Sequence, residues 1–111
     1  MELLVYIMNR VELLDELLEE FSQEANFRAT IIDSAGMAHM LKDTSVFLNL
    51  RNLLNQSQVN SKTILMASNE QDVDRAIEII EGVVGSLDEP DTGVVFTLPI
   101  LHGKGLIKKK D

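Results

Sequence analysis

The chain carries one pattern twice: a short apolar segment, an amphipathic stretch of helical period, and a second short apolar segment. The first occurrence covers residues 2–33 and the second covers residues 62–98. A short apolar run with β-branched side chains favours a strand, whereas apolar residues that recur every three or four positions indicate a helix with one buried face. Each half of the chain therefore predicts a strand-helix-strand unit.

The first unit begins with residues 2–8, whose apolar run predicts a strand. Asn9 follows, and its side chain is suited to capping a helix. Residues 10–24 predict that helix, because leucine, valine and phenylalanine recur with helical spacing while acidic residues fill the other face. Residues 27–33 predict the second strand, since β-branched side chains cluster there.

The second unit begins with residues 62–67, which predict a third strand. Ser68 and Gln71 then stand in the order of a capping box, so we expect the second helix to start at Ser68. Gly85 follows the last apolar position of this helix and is suited to ending it. Residues 94–98 predict the fourth strand.

Two successive strand-helix-strand units are typical of the ferredoxin-like βαββαβ fold. Right-handed crossovers place both helices on one face of a four-stranded antiparallel sheet. The other face stays uncovered in a single subunit, although both pleats of the strands are apolar, and soluble monomers rarely expose so large an apolar patch. We therefore predict an α+β, ferredoxin-like domain over residues 1–103 that assembles with copies of itself.

Residues 34–61 form a long insertion between the second and third strands, far longer than the roughly 2 to 5 residues of an ordinary hairpin loop. Apolar residues at 46, 47, 50, 53 and 54 predict a short helix within it. This helix either packs on its own domain or a neighbouring subunit, or it docks on a partner protein. The residues that we expect to contact such a partner are Met40, Phe47, Leu50 and Leu54.

Charge is divided unevenly along the chain. Residues 1–103 contain 6 Lys and Arg against 17 Asp and Glu, whereas residues 104–111 contain 4 Lys against 1 Asp. An acidic body repels phosphate backbones, so nucleic acid is not an expected partner, and the basic tail over 104–111 is expected to be solvated. No apolar run approaches the ~20 residues that span a bilayer, so we expect a cytoplasmic protein without membrane insertion.

The segment GVVFTLP at residues 93–99 follows a helix and a glycine-containing loop, and it resembles the strand Gly-x-Ile-Phe-Val-Leu-Pro of the nitrogen-regulatory PII signalling proteins. Thr30 and Gly36 fall where that family has its last strand residues and the glycine that opens its long loop. Members of the family are trimers of ferredoxin-like subunits that sense ATP, ADP and 2-oxoglutarate between subunits. They regulate target proteins through the long loop.

The resemblance implies a homotrimeric regulator, not an enzyme, whose long loop acts on a transporter or an enzyme. Its effector would lie between subunits, and we expect a bulky residue at position 93 to weaken a nucleotide response without disturbing assembly. The effector-site residues that the resemblance implies, together with their neighbours, are Thr30, Gly36, Met37, Gly93, Val94 and Lys104.

The chain departs from the family at several of these positions. Val94 stands where the family has a phosphate-binding lysine, and Asp91 replaces a glycine. The family's paired arginines are matched only by Lys104, and the loop lacks the tyrosine that is modified in enteric members. Since a triphosphate needs several cations, the expected effector extends from ATP and ADP to AMP, a cyclic nucleotide, bicarbonate or a metabolite, with no fixed cofactor.

Two other classes of function stay open. One is a ligand-free protein-interaction module, and the other is a small ferredoxin-like enzyme or metal binder in which His102 acts. His39 and His102 are weak metal candidates, because neither has a second ligand at a suitable spacing along the chain. Cysteine is absent, which removes disulfides and cysteine-ligated zinc.

Overall fold

The computed structural model describes residues 1–37 and 61–106, and its architecture confirms the ferredoxin-like βαββαβ order. Its sheet has the strand order β2-β3-β1-β4, and each neighbouring pair is antiparallel. The strands are β1 (Glu2–Met8), β2 (Ala29–Ser34), β3 (Ser61–Ser68) and β4 (Val94–Pro99). The helices are α1 (Leu14–Ser22) and α2 (Glu70–Val84).

The hydrophobic core lies between one face of the sheet and the two helices. Tyr6 at the centre of β1 stands opposite Ile64 on β3 and Val95 on β4, which fixes the register of the three strands. Because side chains alternate along a strand, every second residue of β1 and β3 points toward the helices. The buried members of this core are Leu4, Tyr6, Met8, Leu17, Phe21, Ile64, Met66, Val73, Ala76, Ile79, Ile80 and Val84.

The first helix begins later than its sequence pattern predicts. Residues 11–13 form a single 3-10 turn, and the α-helix starts at Leu14. The expectation that the Asn9 side chain caps this helix was wrong, because the Asn9 backbone carbonyl accepts instead, from the Val11 N–H at 3.0 Å. A turn wound this tightly leaves Arg10 in the cap position, where its side chain makes no capping bond.

The second helix is capped by Asn69, one residue after the predicted cap. The Asn69 side-chain oxygen accepts from the Asp72 backbone N–H at 2.8 Å. Ser68 is unsuited to this position because it still belongs to β3, where it pairs with Glu2 of β1. At the other end Gly85 stops the helix, as expected, with φ of 93° and its N–H bonded to the Glu81 carbonyl.

Tyr6 joins the core to the loop before β4. Its side chain is fully buried, and its hydroxyl donates to the Thr92 backbone carbonyl at 2.6 Å. Burial disfavours the phenolate and raises the pKa of Tyr6 from 10.0 to about 12.

The raised pKa predicts a loss of stability in alkali. Because the unfolded chain releases the Tyr6 proton near pH 10 and the folded chain holds it to about 12, this stabilisation is complete below pH 10 and is lost as the pH rises to 12. At pH 11 the free energy of unfolding should be lower by about 1.4 kcal/mol from this residue alone. Urea unfolding at pH 9 and pH 11 measures the loss. The Tyr6→Phe variant should show a smaller loss, and an equal loss in both proteins would contradict this assignment.

Candidate functional site

Four of the predicted effector residues lie at one end of the sheet. Gly93 and Val94 are at the start of β4, and Gly36 and Met37 follow the end of β2. However, β2 and β4 are the two edge strands, separated by β3 and β1. At ~4.8 Å between strands the two pairs are about 14 Å apart. A single subunit therefore does not bring them together.

Gly93 has a packing reason to be glycine. Its φ is 100°, a conformation that L side chains rarely adopt. A Cβ atom placed there would lie 2.3 Å from the Ile7 carbonyl oxygen and 2.8 Å from Cε1 of Tyr6. The glycine thus lets β4 enter the sheet against the end of β1, whether or not a phosphate binds beside it.

The other two predicted effector residues, Thr30 and Lys104, lie away from Gly93. Thr30 is on β2 opposite Leu65, and Lys104 follows the far end of β4. Thr30 lines a cleft of about 540 Å³, and so does Gly105, the neighbour of Lys104. The cleft is bordered by the α1–β2 loop, the β3–α2 junction and residues 105–106.

The cleft is lined by apolar and polar residues. Leu3, Leu65 and Ala67, here called its floor, line it from the side of the sheet that the helices leave open. Arg28 and Asp72 are the charged residues in its lining. The remaining lining residues are Met1, Ala25, Asn26, Thr30, Met66, Ser68, Asn69, Gly105 and Leu106.

The two charged residues of the lining differ in their bonding. One carboxylate oxygen of Asp72 accepts from the Ser68 hydroxyl at 3.0 Å and from the Asn69 side-chain amide at 3.2 Å. Arg28 makes no hydrogen bond or ion pair with any residue of the described ranges 1–37 and 61–106. Arg28 is exposed and lines the cleft.

Three of the other four arginines and lysines among the described residues pair with carboxylates. Arg10 pairs with Glu12, Lys62 with Asp33, and Arg75 with both Glu24 and Glu78. Only Arg28 and Lys104 have no carboxylate partner among the arginines and lysines of the described part of the chain. Sequence reasoning did not select Arg28, although a cation in a chain of net charge −8 was a usable signal.

The sheet face that the helices leave uncovered, here called the open face, is largely apolar; the strand residues that form it include four serines and threonines but no charged residue. On β4 the residues Val94, Phe96 and Leu98 are 57%, 45% and 44% exposed, and Ile32 on β2 is 45% exposed. The open face is formed by alternate residues of the four strands: Leu3, Val5, Ile7, Thr30, Ile32, Ser34, Ser61, Thr63, Leu65, Ala67, Val94, Phe96 and Leu98.

Several predictions concern residues that are not described. His39 and the four expected partner contacts, Met40, Phe47, Leu50 and Leu54, lie outside the described residues, as does most of the basic tail. His102 is described and exposed. Within residues 1–37 and 61–106 no group of three or more histidine, aspartate or glutamate side chains is placed to hold a metal ion.

No protein-family model matches the chain, and no curated protein matches it. Among the described residues, none of the helices has the length and hydrophobicity to cross a membrane.

Proposed function

We propose that this protein is a homotrimeric regulator similar to the PII signalling proteins, which binds a small effector and acts on a partner protein. The observation that supports it is the open face on a ferredoxin-like subunit. An exposed apolar surface of this size is often functional, and an interface with another protein is one reason for retaining it.

The size of the open face favours an interface. With strands ~4.8 Å apart and residues ~3.3 Å apart, four strands present a surface of roughly 400 Å². That is within the range of the largest apolar patches on monomeric proteins, which are often functional. The rest of the body is strongly acidic, so copies repel one another except where charge is absent. We therefore propose that copies associate through the β4 side of the open face, where Val94, Phe96 and Leu98 are exposed, and not through the part that lines the cleft.

Assembly of copies would also allow the two pairs of predicted effector residues, which lie on opposite edge strands of one subunit, to form one site. Gly36 and Met37 follow one edge strand, whereas Gly93 and Val94 begin the other, so neighbouring copies can supply one pair each. Few arginines and lysines of the described residues lack a carboxylate partner, which favours an adenine nucleotide with few phosphates, AMP or a cyclic nucleotide, over ATP. The insertion over residues 34–61 is the segment that we propose for contact with a regulated transporter or enzyme.

Two measurements test this proposal. Multi-angle light scattering of the purified protein should give three times the 12.4 kDa subunit mass. In thermal unfolding with AMP, cyclic AMP, ADP and ATP, a nucleotide at 100 times its Kd should add about 2.7 kcal/mol of stability. A monomer would overturn the proposal. A trimer that responds to no nucleotide would overturn the nucleotide effector and favour the ligand-free interaction module.

A further inference from the structure

We propose that the cleft at the end of the sheet binds a small organic monocarboxylate, with Arg28 holding the carboxylate and the apolar floor receiving the rest of the molecule. This inference rests on the proposed function in one respect, namely that the bound ligand is the effector of the proposed regulator. The cleft is present in a single subunit, since one chain forms the lining described above.

The positive charges in and beside the cleft favour an anionic ligand. Arg28 and Lys104 are the arginine and lysine without a carboxylate partner in the described ranges, and both belong to the cleft or adjoin its lining. In so acidic a chain, a cation near any carboxylate gains by pairing with it. An arginine guanidinium forms two parallel hydrogen bonds with a carboxylate, which fixes the orientation of the ligand.

The carboxylate of Asp72 is not the partner of Arg28. Ser68 and Asn69 already donate to one of its oxygens, and the Asp72 backbone N–H is held by the Asn69 side chain. These bonds keep Asp72 at the start of α2, and Asp72 forms no ion pair with Arg28. Thr30 lies on the open face of β2, and Arg28 directly precedes that strand; both residues line the cleft.

The volume and floor of the cleft select a small ligand with an apolar body. About 540 Å³ is within the usual range for small-molecule sites, roughly 300–1,000 Å³. Leu3, Leu65 and Ala67 offer an aliphatic chain or a ring a place away from water. Among the described residues, Arg28 is the arginine of the lining and suits a single carboxylate, whereas Arg28 and Lys104 together are too few cations for a triphosphate.

The test compares an acid with the alcohol of the same carbon chain. Titration calorimetry with hexanoate and with 1-hexanol separates the contribution of the charge from that of the apolar body. We expect hexanoate to bind at least tenfold more tightly than the alcohol. Arg28→Gln should reduce hexanoate affinity at least tenfold and abolish this difference. Equal affinity for acid and alcohol, no hexanoate binding, or unchanged binding by Arg28→Gln would overturn the proposal.

Two further variants control for general charge and locate the site. Arg10→Gln removes one positive charge from a residue that pairs with Glu12 and does not line the cleft, so its hexanoate affinity should equal that of the unmodified protein. Ala67→Leu fills the floor and should weaken hexanoate and hexanol alike. If Arg10→Gln weakens binding as much as Arg28→Gln, hexanoate responds to overall charge and the cleft is not its site.

Measuring the mass of each protein by light scattering keeps this inference separate from the proposed function. A monomer that binds hexanoate through Arg28 would support the cleft and overturn the proposed trimer. A trimer in which hexanoate does not bind would overturn the cleft and leave the proposed assembly standing.

Discussion

Replacing Gly93 by alanine is expected to lower the free energy of unfolding by about 3 kcal/mol or more. A side chain at φ of 100° strains the backbone by about 1–3 kcal/mol. The new Cβ would also meet the Ile7 carbonyl oxygen at 2.3 Å, and relieving such crowding costs a further ~1–3 kcal/mol. The Ile7 backbone cannot move aside as a flexible side chain can, so both costs should lower the free energy of unfolding. Urea unfolding followed by circular dichroism measures the change.

Gly82 supplies the matched control for this variant. It lies within α2, and a Cβ placed there has no atom within 4 Å. Gly82→Ala should therefore stabilise the protein by about 0.5–1 kcal/mol, since alanine loses less backbone entropy in a helix. If both variants shifted stability in the same direction and by similar amounts, the packing account of Gly93 would fail.

Because Gly93 is tightly packed, a bulky substitution at position 93 cannot test whether this residue contacts a nucleotide. The sequence led us to expect that a bulky residue at 93 would leave assembly intact while weakening a nucleotide response. Such a residue would collide with β1 and Tyr6, so the subunit itself would be destabilised. A lost nucleotide response in that variant would not identify a phosphate contact.

Replacing Phe96 by glutamate is expected to convert the proposed trimer into monomers. Phe96 is 45% exposed in the subunit, so the fold tolerates a polar side chain there. In an assembly that covers the open face, the carboxylate would be buried without a partner in apolar surroundings. We expect association to weaken roughly 100-fold, equal to about 2.7 kcal/mol. Light scattering across a dilution series measures this change.

Thr97→Glu is the control for the open face. Thr97 is also exposed and is adjacent to Phe96 on β4, but it lies on the opposite pleat, across from Leu4 of β1. The mass of this variant should not change. Dissociation by both variants would point to general charge repulsion, and dissociation by neither would place the interface elsewhere.

Much of the fold is readable from local sequence patterns. Residues 2–8 form the strand that their apolar run predicts, and the helical period before Gly85 marks α2 and its end. These features depend on neighbouring residues, because side-chain period and backbone propensity act over a few positions. The start of α2 was misplaced by one residue because a long-range pairing, Ser68 with Glu2, decides where β3 ends.

The candidate site was much less predictable. Thr30 was selected from the sequence for a different cleft, and Arg28 was not selected at all. The sequence by itself determined the order and type of the elements and the surplus of apolar strand surface, since these follow from local period and composition. Only the tertiary structure decided that Arg28, Leu65 and Gly105 border one cleft, and that Gly93 meets Tyr6. Such contacts join residues far apart in the chain, and strand order and register bring them together.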